Sequence, residues 1–168
     1  GLLCGMILAT KKIPSVIWGH NPDHVAEIIQ LGESKRHLPG HKIPDLVRLT
    51  SDPKQLFEDA TVISNAVPTQ YIRSIFTRLQ NDIPKKVPIF SFAKGIENET
   101  LLRPTQIMAD VLNDDPDQPA RPLATLCGPS IAAELARCKP ATMIAACDEV
   151  SFAEKLQNDF STNWLRIY

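Results

Sequence analysis

Apolar positions along the chain fall into two alternating kinds of run. Short apolar or β-branched runs occupy residues 15–19 (SVIWG), 47–50 (VRLT), 61–67 (TVISNAV), 88–93 (PIFSFA), 123–128 (LATLCG) and 141–147 (ATMIAAC). Most lack the apolar–polar alternation of a sheet with one wet face, which predicts strands covered on both sides. Between them, apolar residues recur at helical spacing. Residues 24–31 (HVAEIIQL) follow Asn21-Pro22-Asp23, with Pro22 suited to a first turn and Gly32 to a stop. Residues 54–59 predict a short helix behind Ser51-Asp52-Pro53. Residues 69–79 (TQYIRSIFTRL) place Ile72, Ile75, Phe76 and Leu79 on one helical face. Residues 101–112, 131–138 and 152–160 continue the helical series. The chain opens on a buried-helix pattern at 1–9 and closes on a strand-like one at 165–168.

Alternating strands and helices of this kind predict an α/β fold: a doubly wound, mostly parallel sheet with helices on both faces. The 14 prolines fall largely in the joints, and 113–122 (NDDPDQPARP) reads as a solvated acidic loop. The segment Leu38-Pro39-Gly40 between His37 and His41 reads as a turn. With no repeat or linker, residues 1–168 form one domain. Chains usually begin and end in loosely held segments, so ends inside a helix and a strand read as a fragment cut at both ends.

Composition narrows the function classes. A chain of 168 residues, 43% hydrophobic, buries a core without a metal or disulfide staple. A net charge of −1 creates no long-range field for nucleic acid or an anionic membrane. No apolar run reaches the roughly 18–20 residues of a membrane span. Four cysteines show no metal-ligand spacing, and Cys4, Cys127 and Cys147 lie in apolar runs as small reduced hydrophobes. The apolar N-terminal segment has no basic flank and no small-residue cleavage site, so it does not read as a signal peptide, and the cytoplasm is the expected compartment. Lys11-Lys12, Lys85-Lys86, Arg73 and Arg78 read as solvated faces.

In a doubly wound sheet, ligands bind beyond the carboxyl ends of the strands. Four positions there carry informative residues. Gly1 opens a helix as the last glycine of a G-x-G-x-x-G loop does, or marks an arbitrary cut. His20 and Asn21, after Trp18-Gly19, are donors for a ribose or its 2′-phosphate, or solvated loop residues. Lys94-Gly95 ends the run 88–93, where a lysine suits a phosphate or polarised carbonyl and glycine allows close approach. Gly128-Pro129-Ser130 turns a strand into a helix, offering backbone N–H groups and a hydroxyl to an anion, with Ser130 near the N-cap. The chain has no G-x-S-x-G, H-E-x-x-H or P-loop pattern.

In order, these segments resemble the N-terminal domain of NAD(P)-dependent glycerol-3-phosphate dehydrogenases. The matching pieces are VIWGHNP from Val16, HLPG from His37, NAVPTQ from Asn65, SFAKGIE from Ser91 and GPSIA from Gly128. The resemblance implies a Rossmann-like domain whose first strand, with the first two loop glycines, is missing. It implies that Gly1, His20, Pro68, Lys94 and Ala132 face the cofactor, and that Lys94, Gly128 and Ser130 face the substrate. It assigns the general-base lysine to a helical domain beyond Tyr168. The implied reaction interconverts glycerol 3-phosphate and dihydroxyacetone phosphate, feeding phospholipid synthesis; the full-length enzyme would be a homodimer and this piece inactive. NAD and NADP both stay open, because no acidic residue or arginine stands where one cofactor would be selected. Two other readings share the fold: a 6-phosphogluconate or ketopantoate type of dehydrogenase, and a dinucleotide-sensing module without catalysis.

Overall fold

The structure is a computed structural model that describes residues 1–113 and 121–168. Most of the loop expected at 113–122 therefore lies outside the described residues. The chain runs α1 (Leu2–Thr10), β1 (Ser15–Trp18), α2 (Pro22–Leu31), β2 (Glu33–Ser34), β3 (Leu38–Lys42), β4 (Val47–Thr50) and α3 (Pro53–Phe57). It continues through β5 (Ile63–Asn65), α4 (Thr69–Leu79), β6 (Ile89–Ser91), α5 (Pro104–Leu112) and β7 (Leu123–Cys127). It ends with α6 (Ala132–Leu135), β8 (Ala141–Ala146), α7 (Val150–Phe160) and β9 (Leu165–Ile167).

Local chemistry sets several of these boundaries. The Asn21 side chain accepts the His24 N–H, Pro22 occupies the first turn, and Gly32 ends α2 in the left-handed region at φ 65°. Asp52 caps α3 in the same way by accepting the Lys54 N–H. The face of α4 that carries Ile72, Phe76 and Leu79 is buried, as its spacing predicts.

Strands β5, β6 and β7 pair in parallel, β8 returns antiparallel beside β7, and β9 lies parallel to β8. Strands β1 and β4 form a separate parallel pair. Helices cover both faces. On one, α1 and α7 pack Cys4, Ile7, Phe152 and Phe160 against Phe90 and Leu126. On the other, α4 and α5 pack Ile72, Phe76, Ile107 and Met108 against Ile89. Neighbouring residues Ile89 and Phe90 thus serve opposite cores, as strand alternation requires. Burial pushes the Cys4 thiol up to about 11, and its nearest polar partner is the Ser64 hydroxyl.

Between β1 and β5 runs a cleft of about 850 Å³, lined in part by Gly1, Cys4, Gly5, Ile17, Ile63 and Phe90. Strands β1 and β5, the edge strands that line this cleft, belong to separate sheets, and both sheets run mostly parallel as a doubly wound fold requires.

Several expectations are corrected. Leu38-Pro39-Gly40 is not a turn but part of β3, which forms a hairpin with β2. The turn comes earlier, where Ser34 Oγ accepts the His37 N–H, and Pro39 is tolerated because a two-stranded ribbon is all edge. Helix α5 starts at Pro104 rather than 101, because Glu99 and Leu101 take positive φ values in the preceding loop. Strand β8 is not covered on both sides: Met143 is buried, while Thr142, Ile144 and Ala146 are exposed. Cys127 is exposed rather than a core thiol, because it ends β7. The helix expected at 131–138 is only the four residues of α6.

Candidate functional site

Two of the strand ends that the sequence singles out, those after β6 and β7, are brought together. Trp18, Val67 and Ala93, at the carboxyl ends of β1, β5 and β6, all pack on the α4–α5 core. Asn65 and Ser91 tie β5 to β6 there. Asn65 Nδ2 donates to Ser91 Oγ at 2.9 Å, and Asn65 Oδ1 accepts the Val67 N–H at 3.1 Å. Ser91 Oγ also accepts the Ala93 N–H at 3.1 Å, so two buried polar side chains direct both chains as they leave the sheet.

Lys94 follows directly. Its Nζ donates to the Gly128 carbonyl at 3.0 Å and lies 3.4 Å from the Ser130 carbonyl. The two segments that carried the sequence reading furthest are therefore joined by one side chain. Gly95 beside it has φ 91°, a conformation that favours glycine. Gly128 has no room for a side chain: a Cβ would stand 2.6 Å from the Thr142 carbonyl oxygen and 2.9 Å from Met143 Cα. Ser130 is not the N-cap. Ile131 holds that position, and the Ser130 hydroxyl lies 3.4 Å from the Gly128 carbonyl, which also accepts the Ser130 N–H. Ala132 is the first residue of α6 and is exposed.

The remaining positions lie on separate element ends. Gly1 is the N-cap of α1 and is exposed; a Cβ there would meet only Ile17 Cγ2, at 3.5 Å. Helix α1 has nine residues and no side-chain cap, so its first-turn N–H groups suit a pyrophosphate. His20 is exposed beyond β1, while Asn21 has its side-chain oxygen committed to capping α2. Pro68 is exposed and is the N-cap of α4. These residues fit a dinucleotide lying along the strand ends. Among the described residues, no group of three or more His, Cys, Asp or Glu side chains is placed to hold a metal ion. No helix among them is long and apolar enough to cross a membrane.

Two arginines expected on solvated faces keep solvent exposure and also have partners. Arg73 on α4 donates Nε to Glu97 Oε1 at 3.0 Å, Nη2 to Glu97 Oε2 at 2.8 Å and Nη1 to Asp110 Oδ2 at 2.6 Å. The Arg73 guanidinium, helped by the Thr100 hydroxyl, holds the buried Glu97 carboxyl below the usual carboxylate range. Arg78 lies over the Trp18 ring at 5.4 Å. Arg73 is the residue sequence reasoning missed. The available signal was its place on one face of α4 with Thr69 and Ile72, beside an acidic residue inside the SFAKGIE segment.

Residues 1–153 match the family described as NAD-dependent glycerol-3-phosphate dehydrogenase N-terminus. The glycerol-3-phosphate dehydrogenase (NAD(P)+) of Desulfotalea psychrophila is 33% identical over all of this chain and 50% of its own length. That of Mycobacterium leprae is 36% identical over 91% of this chain and 43% of its own length. The chain thus spans about half the length of the curated relatives it matches. The crystal structure of a glycerol-3-phosphate dehydrogenase from Coxiella burnetii superimposes with a TM-score of 0.89 at 26% identity, covering 99% of this chain and 49% of that one.

Proposed function

The chain belongs to the family of NAD-dependent glycerol-3-phosphate dehydrogenase N-terminal domains, and from that membership we propose its role in catalysis. It is the dinucleotide-binding half of an enzyme that interconverts sn-glycerol 3-phosphate and dihydroxyacetone phosphate. The cofactor is NAD or NADP, as the names of the relatives indicate. The observation that carries this reading is the Lys94 amine bridging to the Gly128 and Ser130 carbonyls. An ammonium has three donors, so a substrate oxygen can take the one not directed at these two carbonyls.

Hydride chemistry at the substrate's second carbon is what a nicotinamide would supply there when bound. The chain's own residues bind and orient. Gly1 and the first turn of α1 would hold the pyrophosphate, and His20 the adenosine ribose. Pro68 and Ala132 would flank the cofactor on the shelf between them. Lys94 would donate to a substrate oxygen, favouring the charge that grows there as the carbonyl is reduced. Ser130 would add a hydroxyl donor, and Gly128 lets the substrate approach the backbone. The general-base lysine that manages the hydroxyl proton is assigned to a helical domain beyond Tyr168, so residues 1–168 alone bind part of the cofactor without turnover. The reading extends to a cytoplasmic, homodimeric full-length enzyme; the unpaired thiols of Cys4, Cys127, Cys138 and Cys147 are compatible with a reducing compartment.

The test is dihydroxyacetone-phosphate-dependent oxidation of NADH and NADPH by the full-length protein. Oxidation of at least one is expected. Failure with both overturns the assignment and favours a dinucleotide-sensing role.

A further inference from the structure

Lys94 lies on an exposed loop, and an amine on a loop orients a reactant only if its backbone is fixed. The fixing comes from the first turns of α4. Thr69, the buried first residue of that helix, donates its hydroxyl to the Lys94 carbonyl at 2.7 Å. Gln70 donates Nε2 to the Ile96 carbonyl at 2.8 Å and accepts the Asn98 N–H on Oε1 at 3.0 Å. Its amide thereby meets residues 96 and 98 as a peptide unit of a neighbouring strand would. One turn along, Arg73 grips Glu97. Three side chains of one helix end thus hold the five residues 94–98.

The Thr69 contact differs from the others because it acts on Lys94 itself. With the carbonyl held to α4 at one end and Nζ donating to Gly128 at the other, Lys94 spans a fixed distance between α4 and the β7–α6 turn. A threonine at a helix start commonly serves its own helix. This one serves the loop, while α4 goes without a side-chain cap.

We propose that Thr69 is a positioning residue for Lys94, setting where the lysine amine stands on the strand-end shelf. The inference rests on the proposed reading of Lys94 as a substrate contact, and its test separates the two. In the full-length protein, Thr69→Val keeps the shape and removes the donor, Thr69→Ser restores it, and Gln70→Ala loosens the same loop from an exposed position. Two quantities are measured: the KM for dihydroxyacetone phosphate beside kcat and Tm, and the acylation rate of Lys94 relative to exposed Lys11, by mass spectrometry without substrate.

Thr69→Val is expected to raise KM about tenfold, the equivalent of one lost hydrogen bond of roughly 1.4 kcal/mol. It should also speed Lys94 acylation severalfold, with Thr69→Ser close to wild type on both readouts. Gln70→Ala should speed acylation with little change in Tm, which keeps the proposal falsifiable if Thr69→Val folds poorly. A lower Tm with unchanged KM and unchanged Lys94 acylation would make Thr69 merely structural and overturn the proposal. If wild type does not turn over dihydroxyacetone phosphate, the substrate reading of Lys94 fails. The acylation ratios then decide the positioning by themselves.

Discussion

Lys94 shows how a residue's reach depends on what holds both of its ends. Its amine donates to a carbonyl three residues before Ile131, the residue that caps α6, across the β6–β7 pair. On the proposed reading of Lys94 as a charged donor to a reacting oxygen, Lys94→Ala in the full-length protein should lower kcat/KM by about two orders of magnitude. A steady-state assay checks this, and near-normal turnover would return Lys94 to the solvated class. Ser130 makes a complementary case. Its hydroxyl caps no helix and makes one long contact, so Ser130→Ala should leave Tm within about 2 °C while raising the KM for glycerol 3-phosphate severalfold. A fall in Tm with unchanged KM would contradict that. Lys94, Gly128 and Ser130 were legible in the sequence because their places at strand ends follow from local pattern. Thr69 was not, since its partner lies 25 residues away and no local period links them, and for Arg73, 24 residues from Glu97, the sequence offers only its place on the α4 face.

At the scale of elements, the boundaries read best where the signal was chemical. Asn21-Pro22 and Gly32 bracket α2 as expected, whereas the short β2–β3 hairpin was missed because proline and glycine inside a strand look like a turn. The α4–α5 pair carries a further consequence. Arg73 bridges Glu97 in the loop to Asp110 on α5, joining three elements through one guanidinium. Glu97 is held below its ordinary pKa by that contact and by Thr100. A depressed carboxylate contributes stability that is present above its unfolded pKa, about 4.3, and is lost as pH falls through the lower folded value. Melting curves should accordingly show wild type losing its advantage over Glu97→Gln from about pH 4.3 downward, with the two most different near neutrality. Parallel profiles across that range would show that the carboxylate contributes nothing to folding.

For the molecule as a whole, the cleft between β1 and β5 is the feature that the strand order makes intelligible. Among the described residues β1 pairs only with β4 and β5 only with β6, and both strands line the cleft. Ser15 Oγ, the buried side-chain polar atom without a partner among the described residues, belongs to a residue lining the same space. Helix α1 also lines it, through Cys4 and Gly5. A strand leading into α1, followed by α1 and β1, would complete a right-handed βαβ unit with both edges paired. The physical requirement is specific. Each large apolar side chain that leaves water there contributes roughly 1.5–3 kcal/mol, against about 1–2 kcal/mol to order each residue's backbone. A polar strand gains only the hydrogen bonds and does not offset its ordering. Extending the chain before Gly1 by about five β-branched apolar residues and a short glycine-containing turn should thus raise Tm by about 5–10 °C, since 1 kcal/mol moves a domain of this size by roughly 2–4 °C. An extension of the same length built from serine and glycine is the control, and should leave Tm where it was. Equal shifts from both would mean that the cleft does not accept a strand, and the doubly wound order across it would need another explanation.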